Sequence, residues 1–292
     1  MFGMGVTSVI SFSALWAQVA LGFYLAALAT AILAALLHRR GHPNTIFGLA
    51  RAAVAAGFLF QFVSLVETFG SLPLGPASLY RIITGLLAFI IAAFFLLVYR
   101  LYSPRALSLL VVPLICLLAL AATVEPARIN GGPSPMAQSL MHNGWIYVHV
   151  ALIFVGYAGL VVAMASGVLY LLAERKLKSK HTPITAEGML PSLQTLDEVG
   201  YRSLLVGFPL LTAGLVIGAY WADALFGRIA LGDPTVLLAI LAWVIYLVLL
   251  FARWSAGWRG RRTAYLTLVC FGLALAGWLA NGLSQMHSAL LR

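Results

Sequence analysis

The stretch that decides the fold runs from residue 201 to residue 262 and reads YRSLLVGFPLLTAGLVIGAYWADALFGRIALGDPTVLLAILAWVIYLVLLFARWSAGWRGRR. It contains two apolar runs joined by a short loop and followed by a basic tail. Each run is long enough to cross about 30 Å of hydrocarbon as an α-helix. The loop between Asp223 and Pro234 holds both acidic residues of the stretch. The stretch therefore predicts two transmembrane helices, with their connecting loop as the first place to look for chemistry.

The rest of the chain has the same apolar character. Hydrophobic residues make up 62% of the sequence and charged residues 9%, with a mean hydropathy of +1.00. This composition excludes a soluble globular domain, in which about a quarter of the residues are charged. Apolar runs of spanning length lie near residues 14–37, 46–69, 82–99, 107–124, 145–172, 204–224, 236–251 and 264–283. We predict an all-α, polytopic integral membrane bundle of about eight transmembrane helices.

The distribution of positive charge predicts the orientation. When the loops are assigned alternately to two sides, only four of the 18 lysines and arginines fall on one side: Arg81, Arg128, Arg228 and Arg292. The positive-inside rule puts that side, with both termini, outside the cytoplasm. The net charge of +10 thus follows membrane loops and does not indicate a nucleic-acid partner. We expect one transmembrane domain over 1–292, with four spans in 1–124, an external Gly/Pro loop at 125–143 and four spans in 144–292.

Two histidines stand out on the predicted external face. His149 lies about one helical turn inside the fifth span, and His287 falls just beyond the eighth. Two imidazoles at one membrane depth could ligate a single metal, most simply as axial ligands on either side of a porphyrin. Alternatively, each histidine is an interfacial residue that bonds to a neighbouring carbonyl. Composition alone leaves both interpretations open.

Other candidate residues also have two interpretations. Trp145 and Trp221 map to the external interface, where aromatic residues either anchor a bundle or form a flat platform for a planar ligand. Cys116 and Cys270 lie inside apolar spans and are predicted to be buried, unreactive side chains. The sequence lacks HExxH, CxxCH, Walker A and serine-nucleophile motifs, so hydrolase chemistry has no support.

From about Trp145 to Ser288, a series of motifs occurs in a consistent order. They are W-x-x-x-H-V at 145–150, GY at 156–157, LPSLQTLDEVGYR at 190–202, GFPLLTAG at 207–214, GAYWAD at 218–223, DP at 233–234, WVIY at 243–246, GWRGRRTAYL at 257–266 and MHS at 286–288. In these motifs the chain resembles the cytochrome c assembly family of membrane proteins, which includes CcsA- and ResC-type haem-handling subunits and HemX-like proteins.

The resemblance implies a cofactor and its ligands. In this family two external histidines hold haem for attachment to apocytochrome c, and they correspond to His149 and His287. The implied cofactor is non-covalent, b-type haem with these two residues as axial ligands of the iron. Trp145, Trp221 and Asp233 are the implied haem contacts. The implied location is a bacterial-type inner (plasma) membrane, crossed several times.

The chain also departs from the family pattern. The family's haem loop reads W-G-x-x-W-x-W-D-P-K-E, whereas residues 226–236 read FGRIALGDPTV and retain only Gly227, Asp233 and Pro234. Because Asp233 precedes a proline, it is expected first to cap the seventh helix and only second to contact haem. A further family histidine near the cytoplasmic end of the seventh span corresponds to Phe251, which cannot ligate iron.

Two functions therefore remain open. The first is a haem-binding protein of cytochrome c biogenesis that presents haem on the external face, with a ResB-like subunit and apocytochrome c as partners. The second is a HemX-like regulatory or scaffold protein of tetrapyrrole metabolism or of a membrane complex, which does not transport haem and has tetrapyrrole-synthesis enzymes as its partners. Neither function requires a catalytic residue of this chain, and membrane lipid is a partner in both.

Overall fold

The computed structural model describes residues 4–37, 43–70, 76–124, 144–178, 191–226 and 232–280, and no strand occurs in these ranges. They contain eight helices that are long and apolar enough to cross a membrane. The helices are α1 (Met4–Leu37), α2 (Pro43–Gly70), α3 (Pro76–Tyr102), α4 (Ser108–Thr123), α5 (Gly144–Lys178), α6 (Leu193–Phe226), α7 (Pro234–Ser255) and α8 (Arg261–Leu279). The predicted all-α class with eight transmembrane helices is confirmed. The side on which the termini lie stays a prediction.

The described helices form two compact units. The N-terminal unit contains α1 to α4, and the C-terminal unit contains α5 to α8. That the chain forms one domain over 1–292 stays a prediction. The predicted external loop at 125–143 and His287 lie outside the described residues.

In the N-terminal unit, α1 packs against α2 and α4, and α3 packs against α2 and α4. Large side chains such as Tyr24, Phe47 and Phe95 are fully buried between these helices. The indole N–H of Trp16 donates a hydrogen bond of 3.1 Å to Oε1 of Glu67. An acidic side chain is costly in an apolar bundle, so this bond both stabilises Glu67 and ties α1 to α2.

In the C-terminal unit, glycines bring α5 and α6 into backbone contact. A Cβ added at Gly159 would lie 2.6 Å from the carbonyl oxygen of Ser203, and one at Gly207 would lie 3.0 Å from the carbonyl oxygen of Gly156. Because lipid tails are as apolar as leucine, helices in a bilayer associate largely through such close packing. The glycines therefore set the distance between α5 and α6, and α7 and α8 complete the unit.

The structure can be compared with two predictions: the burial of the two cysteines and the start of the sixth helix. Cys116 and Cys270 are free and buried, as expected. The sixth helix begins at Leu193, well before the apolar run that starts near Leu204. Ser192 accepts a hydrogen bond of 3.1 Å from the backbone N–H of Thr195, and the helix then continues without a break. The LDEVGYR segment is therefore the polar first part of α6 itself.

Candidate functional site

The C-terminal unit has two ends. We call one the histidine end, defined by residues 144–149 of α5, 214–226 of α6, 234–238 of α7 with Asp233 before it, and 277–279 of α8. We call the other the arginine end, defined by residues 170–178 of α5, 193–202 of α6, 249–255 of α7 and 261–265 of α8, with the connection 256–260. Contacts of Gly218 with His149, and of Gly277 with Leu238, align the helices at the histidine end.

His149 is held by a backbone carbonyl of the neighbouring helix. Its Nδ1 lies 2.7 Å from the carbonyl oxygen of Gly214. A carbonyl oxygen can only accept a hydrogen bond, so Nδ1 carries the proton and donates it. The neutral ring then keeps its lone pair on Nε2, the nitrogen that can bind a metal. Histidine ligands in metalloproteins are commonly oriented by such a bond to the other ring nitrogen.

Gly218 provides the space for this imidazole ring. A Cβ at position 218 would lie 2.5 Å from Cε1 of His149 and 2.9 Å from Nδ1. Any larger residue must therefore displace the ring from its present position. Gly214 and Gly218 are four positions apart, so they lie on one face of α6. Gly218 faces the ring of His149, and Gly214 faces Ile153 while its carbonyl oxygen bonds to the ring.

The two predicted tryptophans lie at the histidine end as well. Trp145 is one turn before His149 on α5, and its side chain is 59% exposed. Trp221 is three residues after Gly218 on α6, half-buried, and packs edge-to-face with Tyr220 at a ring-centroid distance of 6.2 Å. Tyr220 is 70% exposed, so Trp145 and Tyr220 both present aromatic surface at this end of the unit.

Asp233 has the capping role that was expected first. Its Oδ1 accepts a hydrogen bond of 2.9 Å from the backbone N–H of Thr235, and Pro234 occupies the first turn of α7. The residue is only 8% exposed. Its side chain is therefore engaged in starting α7, and a contact between Asp233 and haem stays a prediction. Residues 227–231 of the connecting loop lie outside the described residues.

The arginine end contains a polar cluster that the sequence did not predict. Nη1 and Nη2 of Arg253 donate bonds of 2.8 Å and 2.7 Å to the two carboxylate oxygens of Asp197. The backbone N–H of Gly260 donates a further bond of 3.0 Å to Oδ1 of Asp197. The guanidinium group of Arg253 also lies 4.1 Å from the ring centroid of Tyr201. One half-buried carboxylate therefore joins α6, α7 and the start of α8.

A cavity of about 30 Å³ lies beside this cluster, lined among others by Ser166, Tyr170, Asp197 and Arg253. A volume of this size holds a water molecule or two. It is far too small for a porphyrin. Asp197 and Arg253 lie in or near the motifs that resemble the family. They are 56 residues apart, however, so no local sequence pattern indicates that they form an ion pair.

The sequence is similar to that of known proteins. The family model described as cytochrome C assembly protein matches residues 77–286, so the similarity begins in α3 and is longer than the motif series from Trp145. The curated relatives include cytochrome c biogenesis protein CcsA of Synechococcus elongatus, which is 30% identical over 245 residues, or 69% of this chain and 75% of the relative.

Other relatives are matched over about half of their length. CcsA of Guillardia theta is 31% identical over 152 residues, which are 47% of this chain and 50% of the relative. CcsA of Chlamydomonas reinhardtii is 29% identical over 173 residues, which are 59% of this chain and 47% of the relative. No solved structure matches the chain significantly. The family match and the identity to the Synechococcus protein show that this chain belongs to the cytochrome c assembly protein family.

Proposed function

We propose that this protein acts in cytochrome c biogenesis by holding haem at the histidine end, with Nε2 of His149 as a ligand of the iron. The observation that carries the proposal is the hydrogen bond from Nδ1 of His149 to the carbonyl oxygen of Gly214. It leaves Nε2 as the nitrogen with a lone pair. Family membership and the names of the relatives support the assignment to cytochrome c biogenesis.

The residues of this site suit haem better than a bare metal ion. A structural zinc ion takes four protein ligands, whereas iron in a porphyrin takes only one or two axial ligands from the protein. His149 supplies one imidazole, and His287 is the proposed second ligand. Trp145 and Trp221 are the proposed aromatic contacts of the porphyrin, since aromatic rings stack favourably on flat apolar surfaces. When bound, b-type haem supplies the redox-active iron and the vinyl groups that become linked to a c-type cytochrome.

The proposed haem site has a location in the membrane and partner proteins. The site faces the non-cytoplasmic side of a bacterial-type plasma membrane, because the histidine end carries few positive charges. The partners are apocytochrome c and a ResB-like membrane subunit. The protein's own contribution is to bind and orient haem, so it needs no nucleophile.

Gly218→Ala tests whether the position of the His149 ring matters. The added Cβ would lie 2.5 Å from Cε1 and force the ring away from the Gly214 carbonyl. Loss of such a positioning bond lowers metal affinity by roughly 10- to 100-fold. We expect a drop of this size in haem affinity, measured by absorbance titration of the purified protein. Gly272→Ala is the matched control, because no atom lies within 4 Å of a Cβ at position 272. Equal affinities for the two variants would contradict the positioning role.

A second candidate function is supported by the loop between α6 and α7. Residues 226–236 lack the tryptophans of the family's haem loop, and the side chain of Asp233 is engaged in capping α7. Both features favour a HemX-like regulatory or scaffold protein, with tetrapyrrole-synthesis enzymes as partners and no haem transport.

Deletion of the gene in its host separates the two functions. If the protein presents haem, holo-cytochrome c falls, haem precursors are unchanged, and re-expression of the wild-type protein restores the cytochrome. Normal holo-cytochrome c with altered precursor levels would contradict the proposal and favour the regulatory function. Haem staining for covalent cytochrome and pigment analysis of the same cells provide both readouts.

A further inference from the structure

The arginine end of the C-terminal unit has a surplus of positive charge. Its described acidic side chains each form an ion pair with a nearby cation, and the pairs are Glu174 with Lys178, Asp197 with Arg253, and Glu198 with Arg202. Three exposed arginines, Arg259, Arg261 and Arg262, are additional to these pairs. Arg261 lies near Glu174 and Arg259 near Asp197, but each of these carboxylates already has its own cation. This end therefore keeps a net positive charge that favours an anionic partner.

These arginines are presented by a tight connection between α7 and α8. Gly257 and Gly260 have φ angles of +62° and +70°, a conformation that side-chain-bearing residues rarely adopt. The guanidinium group of Arg261 lies 5.5 Å from the ring centroid of Tyr265, and that of Arg262 lies 5.7 Å from the ring centroid of Trp258. Such cation–π contacts restrict the guanidinium groups without neutralising their charge. We call Trp258–Arg262 with Tyr265 the WRGRR surface.

The WRGRR surface lies next to an exposed apolar helix end. Trp254, near the end of α7, is 84% exposed, and Phe251, one turn earlier, is 61% exposed. In a transmembrane helix, exposed apolar residues face lipid, and tryptophan is enriched at the level of the headgroups. The arginines that follow Trp254 in the chain therefore lie where lipid headgroups are found.

We propose that the WRGRR surface is a binding site for an anionic phospholipid, with Arg259, Arg261 and Arg262 holding its phosphate. The surplus of positive charge favours an anionic ligand. Because the site lies beside Trp254, at the level of the lipid headgroups, that ligand is a membrane lipid. Arginine is well suited to phosphate because its planar group can donate two parallel hydrogen bonds. Basic clusters directly next to transmembrane helices bind anionic lipids in other membrane proteins. This site is independent of the haem proposal, since it lies at the opposite end of the unit.

The full-length protein in detergent micelles can be titrated with phosphatidylglycerol, and bound lipid counted by native mass spectrometry. Each arginine near an anionic surface strengthens binding roughly fivefold. Arg261→Gln/Arg262→Gln is therefore expected to weaken phosphatidylglycerol binding by roughly 30-fold. The control Arg51→Gln/Arg100→Gln removes the same charge from the N-terminal unit, where Arg51 also lies over an aromatic ring, Tyr99. It leaves the WRGRR surface intact, so its loss of binding is expected to be clearly smaller than that of Arg261→Gln/Arg262→Gln.

Two further lipids define the ligand class with the wild-type protein alone. Phosphatidylcholine carries a phosphate without net negative charge, and sulfoquinovosyl diacylglycerol carries negative charge without phosphate. Stronger binding of phosphatidylglycerol than of both supports the proposal. Equal binding of the three lipids, or equal losses in the two double variants, would overturn it. This comparison needs no variant, so it decides the ligand class even if Arg261→Gln/Arg262→Gln folds poorly.

Discussion

The His149→Ala protein is expected to lose most of its haem. The substitution removes both the proposed iron ligand at Nε2 and the bond from Nδ1 to the Gly214 carbonyl, which lies 2.7 Å away in the structure. The loss should exceed the roughly 10- to 100-fold that removal of a positioning partner costs. Haem content per protein after purification, and affinity after reconstitution, measure the effect directly.

The control for His149→Ala is His181→Ala, which removes an imidazole from the connection before α6. This histidine stands among basic residues of the predicted cytoplasmic side, and we expect wild-type haem content in its absence. If His149→Ala and His287→Ala combined retained the wild-type content, neither residue would be a haem ligand. If the single variant His149→Ala retained the wild-type haem content, His149 would not be a ligand, and the ligand would lie outside α5.

The Arg253→Met protein is expected to be strongly destabilised. The side chains of Arg253 and Asp197 are only 9% and 15% exposed, so the substitution leaves a largely buried carboxylate without its cation. Breaking a fully buried ion pair from one side costs about 3–5 kcal/mol of folding free energy, and a loss below this range is expected for a partly buried pair. Thermal unfolding in detergent micelles, followed by tryptophan fluorescence, should show a large fall in the midpoint temperature.

A double substitution identifies the cause of this loss. In Asp197→Asn/Arg253→Met the charge is gone, while the amide oxygen of asparagine can still accept the bond from the N–H of Gly260. We expect the double variant to be more stable than Arg253→Met alone, because no charge is left buried without a partner. Arg202→Met is the surface control, since its exposed pair with Glu198 contributes only about 0.3–0.5 kcal/mol. An Arg253→Met protein as stable as Arg202→Met would contradict the importance of the cluster.

The transmembrane helices could be predicted from the sequence because length and hydropathy suffice to recognise a span. The cap of α7 could also be predicted, since Asp233 and Pro234 act within a few residues of the helix they start. The unbroken run of α6 from Leu193 into the sixth span was not predicted, because LDEVGYR is polar and the bond that stabilises it is made with Arg253, 56 residues away.

The candidate site likewise has features that the sequence predicts and features that depend on how the helices pack. His149 was identified by its depth in the fifth span and by a motif. The hydrogen bond to Gly214 and the space left by Gly218 depend on how α5 and α6 align, and that alignment joins residues 65 positions apart. The two glycines were visible in the quoted motifs, and their spacing of four residues opposite a lone histidine is the signal that could have found them. His287 lies outside the described residues, so its role as second ligand stays a prediction.

The most direct test of the central claim is the spectrum of the His149→Gly protein after reconstitution with excess ferric haem, recorded with and without added imidazole. Glycine leaves open the volume of the lost ring, so free imidazole can enter and supply the missing nitrogen. If Nε2 of His149 binds the iron, the variant loses the low-spin absorbance and electron paramagnetic resonance signals of the wild type, and imidazole restores them. A His149→Gly protein with wild-type signals in the absence of imidazole would contradict the claim.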